Sequence, residues 1–253
     1  MKYRKIVIVG ATSFIAHNCA RLWAEQGAES FTLVGRDVER TTSVGQDLRS
    51  RSSAEGFKVS CRQVGDFCSP GEVEDAVREI CGEGIPDLVL IAQGSSAEAN
   101  SELTASSGKL SASLALNGIS PLLFAQAFAN RMQDGDGQIV IVGSVAGDRG
   151  RASNYVYGAG KSMVDTFVQG MRHYMALNGR NLAVSLIKPG PTFSPMTAEL
   201  VGSMKLADVR SVAEAIVAGV RRRKKVIYVP FKWRIIMLII RLMPDFIFNR
   251  LKI

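Results

Sequence analysis

Tyr157 and Lys161 stand four residues apart in Ser153-Asn154-Tyr155-Val156-Tyr157-Gly158-Ala159-Gly160-Lys161, and Ser144 lies thirteen residues upstream of Tyr157. A helix places residues i and i+4 on one face, so this spacing sets an ammonium beside a phenol. An unperturbed phenol titrates near pH ~10. A neighbouring cation favours the phenolate and makes the group a usable acid or base closer to neutrality. Ser144 follows the apolar run Gln138-Ile139-Val140-Ile141-Val142-Gly143, and from the loop leaving that strand its hydroxyl can bond the same substrate oxygen. The trio describes hydride chemistry at a carbonyl or an alcohol. Alone, Tyr-x-x-x-Lys also marks ordinary solvated helix faces, so its meaning depends on the elements that precede it.

Arg4-Lys5-Ile6-Val7-Ile8-Val9 reads as a buried strand running straight into Gly10-Ala11-Thr12-Ser13-Phe14-Ile15-Ala16, and helical periodicity continues through Cys19, Leu22 and Trp23 to a stop at Gly27. Strand, glycine turn and helix form a phosphate-binding unit: the turn admits a pyrophosphate close to backbone, and the helix N-terminus offers N–H groups and partial positive charge. Gly10, Thr12, Ser13, Phe14 and Ile15 are therefore candidate dinucleotide contacts. A second strand, 31–34, is followed by Gly35-Arg36, about twenty residues beyond the first glycine, where dinucleotide folds meet the adenine ribose. An arginine there suits a 2′-phosphate, which favours NADP(H) and leaves NAD(H) as the alternative. Further strands are expected at 57–64, 87–91, 138–142, 181–187 and 226–229, separated by helical stretches rich in Ala, Leu and Glu. The alternation implies an α/β fold, a doubly wound Rossmann domain with a parallel sheet of about seven strands.

In order along the chain stand the glycine turn, Asp66, Ala92-Gln93-Gly94, Asn117, Ser144, Tyr157, Lys161 and Pro189-Gly190. On these residues the sequence resembles the short-chain dehydrogenase/reductase superfamily over nearly its whole length. The resemblance implies a catalytic tetrad of Asn117, Ser144, Tyr157 and Lys161. It further implies that Lys161 holds the nicotinamide ribose, that Asp66 lies near adenine and Ser194 near the carboxamide, and that Tyr157, Phe67, Ala92, Gly94, Pro189, Gly190 and Thr192 also contact the cofactor. Within the superfamily the chain resembles reductases similar to the decaprenylphosphoryl-2-keto-erythropentofuranose reductases. That likeness rests on Gly10–Ala16, Val142-Gly-Ser-Val-Ala-Gly-Asp-Arg-Gly-Arg151, Ser153–Lys161, Lys188-Pro-Gly190 with Met196-Thr197, and Ile227-Tyr-Val-Pro230 through Trp233-Arg234 to Phe248. It implies a keto substrate linked to a lipid and a partner oxidase.

Three positions depart from the family pattern. Phe14 and Ala16 occupy the second and third glycine positions of the turn, which restricts the approach of backbone to phosphate. Ile91-Ala92-Gln93-Gly94 replaces Asn-Asn-Ala-Gly, and Ser194 stands for a threonine. They read as subfamily traits. Asn117 has a physical argument of its own: Pro121 has no N–H for the carbonyl four residues back, and its ring crowds that carbonyl. In the family this carbonyl is thought to hold a water linking the lysine to solvent; a simple kink beside Gly118 is the plainer reading.

The composition, 253 residues with 47% hydrophobic and 21% charged, fits one compact α/β domain over 1–230. The polar stretches 43–53 and 95–107 read as surface turns and site rim. The apolar segment after Met1-Lys-Tyr-Arg-Lys reads as core, not a signal peptide. Cys19, Cys61, Cys68 and Cys81 show no Cys-x-x-Cys spacing, and His17 and His173 are isolated, so no metal site is expected. The net charge of +8 resides in the C-terminal part: residues 221–253 carry ten of the 31 Lys and Arg but one of the 23 acids. No nucleic-acid role is inferred. Residues 231–253 form instead a basic amphipathic helical tail in which Arg234 and Arg241, seven apart, share a face and the rest is apolar except Lys232. Six apolar residues between two arginines are too few for a bilayer span of about 20. The tail is expected either to lie on a membrane surface, making the protein cytoplasmic and peripheral at the inner face, or to cover the site or a subunit contact in a homo-oligomer. The functional expectation is an NAD(P)H-dependent ketoreductase of a lipid-linked or other amphiphilic substrate. The alternatives are a reductase of a soluble ketone or acyl thioester, and a non-catalytic dinucleotide-binding scaffold.

Overall fold

Short aliphatic runs such as 6–9, 88–91 and 139–142 form central strands because both sides of each find apolar partners. The computed structural model describes residues 3–52, 54–95, 98–132, 137–194 and 206–251. In chain order the elements are β1 (Lys5–Val9), α1 (Phe14–Glu25), β2 (Ser30–Gly35), α2 (Val38–Arg51), β3 (Lys58–Gln63), α3 (Pro70–Gly82) and β4 (Leu88–Ile91). Then come α4 (Asn100–Thr104), α5 (Ser107–Leu114), a π-turn (Ala115–Ile119), α6 (Ser120–Arg131), β5 (Gln138–Val142), a 3₁₀ turn (Val145–Gly147), α7 (Tyr155–Leu177) and β6 (Ala183–Pro189). The chain continues through α8 (Val209–Arg221), β7 (Val226–Val229), α9 (Lys232–Leu242) and α10 (Asp245–Phe248).

The seven strands form one sheet in the order β3-β2-β1-β4-β5-β6-β7, every neighbouring pair parallel. Successive side chains of a strand point to opposite faces. Accordingly Ile6 and Ile8 pack with Trp23, Leu48 and Ile216 on one side, and Val7 and Val9 with Ile80, Phe124 and Phe128 on the other. Each fully buried residue of this size contributes about 1.5–3 kcal/mol. The strand order reverses between β1 and β4, and such a reversal opens a crevice at the carboxyl ends of the strands. The doubly wound fold expected from the sequence is the one observed.

Local differences have physical causes. The stretch 43–53, read as turns, belongs largely to α2: Asp37 caps it through a bond from Arg40 N, and Thr41, Val44, Gly45 and Leu48 form a buried stripe. Within 95–107, α4 is likewise helical. The sixth strand, expected over 181–187, runs on to Pro189 because Lys188 is not a surface charge. Its ammonium is buried between the carboxylates of Asp148 and Asp165. Ser107–Arg131 is apolar and long enough to cross a bilayer, but Phe124, Ala125, Phe128 and Ala129 along it are buried in the core.

Candidate active site

The crevice is bordered by turns that leave no room for side chains. Gly10 ends β1 with φ +74°, and a β-carbon on it would stand 2.6 Å from Gln93 N. Gly94, just past β4, has φ +152° and would clash with Asn117 Oδ1 at 2.9 Å. Ser13 caps α1, its hydroxyl accepting from Ala16 N, while Thr12, Phe14 and Ile15 are half-buried at the mouth of that helix. Ala16 is fully buried, so its methyl fits where the third glycine of the turn would sit.

On the adenine side, Arg36 is exposed, with its guanidinium over the Phe67 ring at 5.9 Å. Phe67 itself is in the core, edge-on to Phe124. The carboxylate of Asp37 is occupied by the α2 cap, which leaves the arginine as the group facing outward. Asp66 folds back to accept from Cys68 N at 2.8 Å. Across the crevice, Gly190 N donates to Val229 O. Thr192 is buried with its hydroxyl donating to Gly190 O, and Ser194 is half-buried beyond it. Met196 and Thr197 lie outside the described residues. This set fits a dinucleotide: a helix N-terminus and open glycine turn for pyrophosphate, a guanidinium at the ribose, and a lysine deeper in the crevice.

The four tetrad positions converge below. Ser144 leaves β5 as the cap of the 3₁₀ turn, its oxygen accepting from Ala146 N at 3.1 Å, and its side chain hydrogen-bonds Tyr157. Lys161 is buried, with Nζ donating to Val142 O at 3.2 Å and lying 5.7 Å from the centre of the Tyr157 ring. Asn117 is pinned by a reciprocal pair: its Nδ2 donates to Ser95 O at 2.8 Å and its Oδ1 accepts from Ser95 N at 2.9 Å. It sits in the π-turn, where Ser120 N reaches back to Ala115 O. The ladder thus widens just before Pro121, which has no N–H for the Asn117 carbonyl.

The electrostatics differ from the sequence expectation of a phenol lowered by its lysine. Burial raises the Tyr157 phenol, and the Ser144 hydrogen bond lowers it by less. Lys161 is directed at a backbone carbonyl and stands beside the ring. Burial also pulls Lys161 down to about 8. The phenol therefore keeps its proton at neutral pH, as an acid that protonates a developing alkoxide requires.

Several supporting residues carry no signal of chemistry in the sequence. Gly158 and Gly160 lie between Tyr157 and Lys161 because α7 packs closely against its neighbours there: β-carbons would meet Ala146 O at 2.8 Å and Asn117 Cβ at 3.0 Å, respectively. Asn100 on α4 accepts from Val156 N at the start of α7. Asp148, just past the 3₁₀ turn, joins Lys188 of β6, Asp165 of α7 and the Tyr228 hydroxyl of β7. Burial lowers the Lys188 ammonium, but the two carboxylates outweigh this and hold it charged. The tail is fastened at both ends to the same loops. Trp233 occupies the space beside Gly190, and Arg149 donates to the carbonyls of Ile240 and Met243, pairs with Asp245 and stacks on Phe248. His17 is structural, bonded to Asp47, and no cluster of metal-binding side chains occurs among the described residues.

The chain is 28% identical over 252 residues to an uncharacterised oxidoreductase of Streptomyces coelicolor, covering 98% of this chain and 96% of that one. It is 28% identical to carbonyl reductase family member 4 of Danio rerio, over 78% of this chain and 79% of that one. Its fold is shared with a short-chain dehydrogenase from Sphingobium yanoikuyae solved with NADPH, at a TM-score of 0.77, 21% identity and coverage of 96% and 97%. Residues 4–205 match the short chain dehydrogenase family, and the chain belongs to that family of oxidoreductases.

Proposed function

We propose that the protein is an NADPH-dependent ketoreductase whose substrate carries its keto group on a lipid-linked or otherwise amphiphilic molecule, supplied by a partner oxidase at the inner face of a membrane. The observation that carries this reading is the junction between the reacting loops and the tail. Arg149, five residues beyond Ser144, holds the end of α9, and α9 exposes Ile235, Leu238, Ile239 and Leu242. An apolar surface is thereby tied to the loop that follows Ser144. NADPH in the Sphingobium yanoikuyae neighbour and the outward-facing Arg36 support the choice of nucleotide.

When bound, the nucleotide would supply a hydride to the keto carbon. Gly10, the first turn of α1, Arg36, Gly94, Lys161 and Gly190 would hold it. Ser144 orients the keto oxygen, and its own bond from Ala146 N fixes the direction of its hydroxyl. Tyr157 gives its proton to that oxygen. Lys161 replenishes the proton through the widened backbone at Asn117, the only stretch of α5–α6 where a proline removes a donor. The Danio rerio relative, a carbonyl reductase by name, supports a second reading in which the ketone is soluble and the tail builds an oligomer.

The test is Tyr157→Phe, measured by nucleotide binding and by reduction of a polyprenyl-linked ketose and of a soluble ketone. Binding is expected to persist and reduction to fall by at least about 10²-fold, whereas Tyr155→Phe, on an exposed residue, changes little. Near-normal turnover of the Tyr157 variant would overturn the mechanism. Equal turnover of both substrates by the wild type would favour the soluble reading.

A further inference from the structure

The tail forms part of a cavity that the catalytic reading does not use. It has a volume of about 770 Å³ and lies at the β7 edge of the sheet, lined by Arg172 and Asp165 of α7, Lys188 of β6, Lys224 and Lys225 before β7, and Arg234 and Arg241 of α9. The acid is already matched, since Asp165 pairs with Lys188, which also holds the buried Asp148. Five cationic side chains remain around the cavity. Arg172 further donates to Lys225 O, which ties the end of α7 to the start of β7 and fixes two of the cations relative to each other.

The two arginines of α9 are not a stripe standing alone in solvent. They mark the border between the side of the helix that carries the buried Met237 and an exposed apolar row. That row, Phe231, Ile235, Leu238, Ile239 and Leu242, recurs at helical spacing, and its members are between 55% and 75% exposed. Lys232 stands on the opposite border. Phe246 of α10, 69% exposed, extends the apolar surface past the helix end. An apolar row bordered by basic residues, opening at one edge onto a cation-lined cavity, matches the order of groups at a bilayer surface, where phosphate lies just outside the first methylenes.

We propose that this cavity receives the phosphate headgroup of an anionic membrane lipid while the row on α9 and α10 rests among the acyl chains. The proposal rests on the reading that the tail meets a membrane and adds the site that makes the contact selective for anionic lipid. Arg234 and Arg241 lie at the boundary with their stems along apolar surface and their guanidinium groups toward phosphate. The occupant follows from charge complementarity together with the adjacent apolar row, since a soluble anion would use the first and leave the second in water.

The experiment is co-sedimentation of the full chain with vesicles of 70% phosphatidylcholine and 30% phosphatidylglycerol, beside pure phosphatidylcholine vesicles and a titration with inorganic phosphate alone. Wild type is expected on the anionic vesicles and not on the neutral ones. At roughly fivefold per basic residue near an anionic surface, R234A/R241A weakens the partition about 25-fold, and Leu238→Asp abolishes it. Nucleotide binding, unchanged in both variants, shows that they fold. If R234A/R241A stays attached while Leu238→Asp is released, the apolar row alone holds the membrane; the headgroup site fails and the membrane reading survives. If wild type ignores anionic vesicles, both fail. In that case a dimer in sedimentation equilibrium, broken by Leu238→Asp, identifies the row as a contact between copies of this chain. Binding of inorganic phosphate without vesicle attachment makes the occupant a soluble anion and likewise overturns the proposal.

Discussion

Gly147 lies flat against the backbone of Lys161: a β-carbon on Gly147 would stand 2.7 Å from the Lys161 carbonyl carbon and 2.8 Å from its oxygen. The turn that carries Ser144 and the helix that carries Tyr157 and Lys161 therefore meet backbone to backbone, with no flexible side chain between them. Gly147→Ala should push the two apart. Overpacking of this kind costs about 1–3 kcal/mol, and a displacement of about 1 Å between reacting groups can cost about 10²-fold in rate. The expected result is a modest loss in thermal stability with a much larger loss in kcat, read by melting and steady-state kinetics. A variant equally impaired in stability but normal in kcat would show that the contact only packs.

Lys161 provides a pH signature. Its folded pKa of about 8 lies below the ordinary 10.5, so between these values the unfolded chain binds more protons than the folded one. Stability then rises with pH across that window, because the burial penalty of the ammonium is present below about 8 and is relieved above it. Relative to Lys161→Met, wild type should gain up to about 3 kcal/mol from pH 8 to 10.5, measured by urea denaturation. Reduction should move the opposite way, declining above about pH 8 as the ammonium that feeds the proton relay is lost.

Arg36 should decide the nucleotide. Asp37 is committed to capping α2, and Asp66 is turned to Cys68 N, so Arg36 is the group placed to meet a 2′-phosphate. Charge-assisted hydrogen bonds are worth about 1.5–3 kcal/mol, so Arg36→Ala should weaken NADPH tenfold or more and leave NADH nearly unchanged. Fluorescence titration with both nucleotides measures this. Equal weakening of the two would make the arginine a surface charge.

Lys188 joins β6, α7 and the turn after Ser144 through one buried ammonium. Lys188→Met removes the cation and leaves Asp148, whose side chain has no exposed surface, uncompensated. Breaking such a pair costs about 3–5 kcal/mol, or at about 2–4 °C per kcal/mol for a chain of this size a fall in Tm of about 6–20 °C. Calorimetry reads it directly, and a Tm within a few degrees of wild type would mean that the carboxylates find other partners.

Strands and glycine turns were legible because their signals are local. The run Ile6–Val9 alternates between two apolar faces wherever it is placed, and Gly10 marks the end of β1 by its position alone. Pro121 likewise announces a disturbed ladder at Asn117, which appears as the π-turn. The unreadable parts depend on distant partners. Nothing in Lys188-Pro189-Gly190 says that two aspartates, 40 and 23 residues away, will bury the lysine. Arg149 looks like a loop cation until α9 brings it the carbonyls of Ile240 and Met243. Tyr157 and Lys161 were legible as neighbours, but which way their proton affinities move depends on burial, a property of the assembled core. The alternating glycines at 158 and 160 were in plain view within Tyr-Gly-Ala-Gly-Lys, and their spacing is the one local sign that the catalytic helix would be closely packed on its inner side.

The fastening of α9 has a consequence for any attempt to study the tail by cutting it off. Removing residues 231–253 would open a void at Gly190 where Trp233 now sits and would leave the Arg149 guanidinium without its carbonyl acceptors, its carboxylate and its aromatic neighbour. A shortened chain that lost activity would therefore report damage to the nucleotide loop and the serine turn as much as loss of a membrane contact. The outward row of α9 can be altered residue by residue without touching either anchor, and in that sense the helix has two sides with separable duties: one completes the enzyme, and the other meets whatever lies outside it.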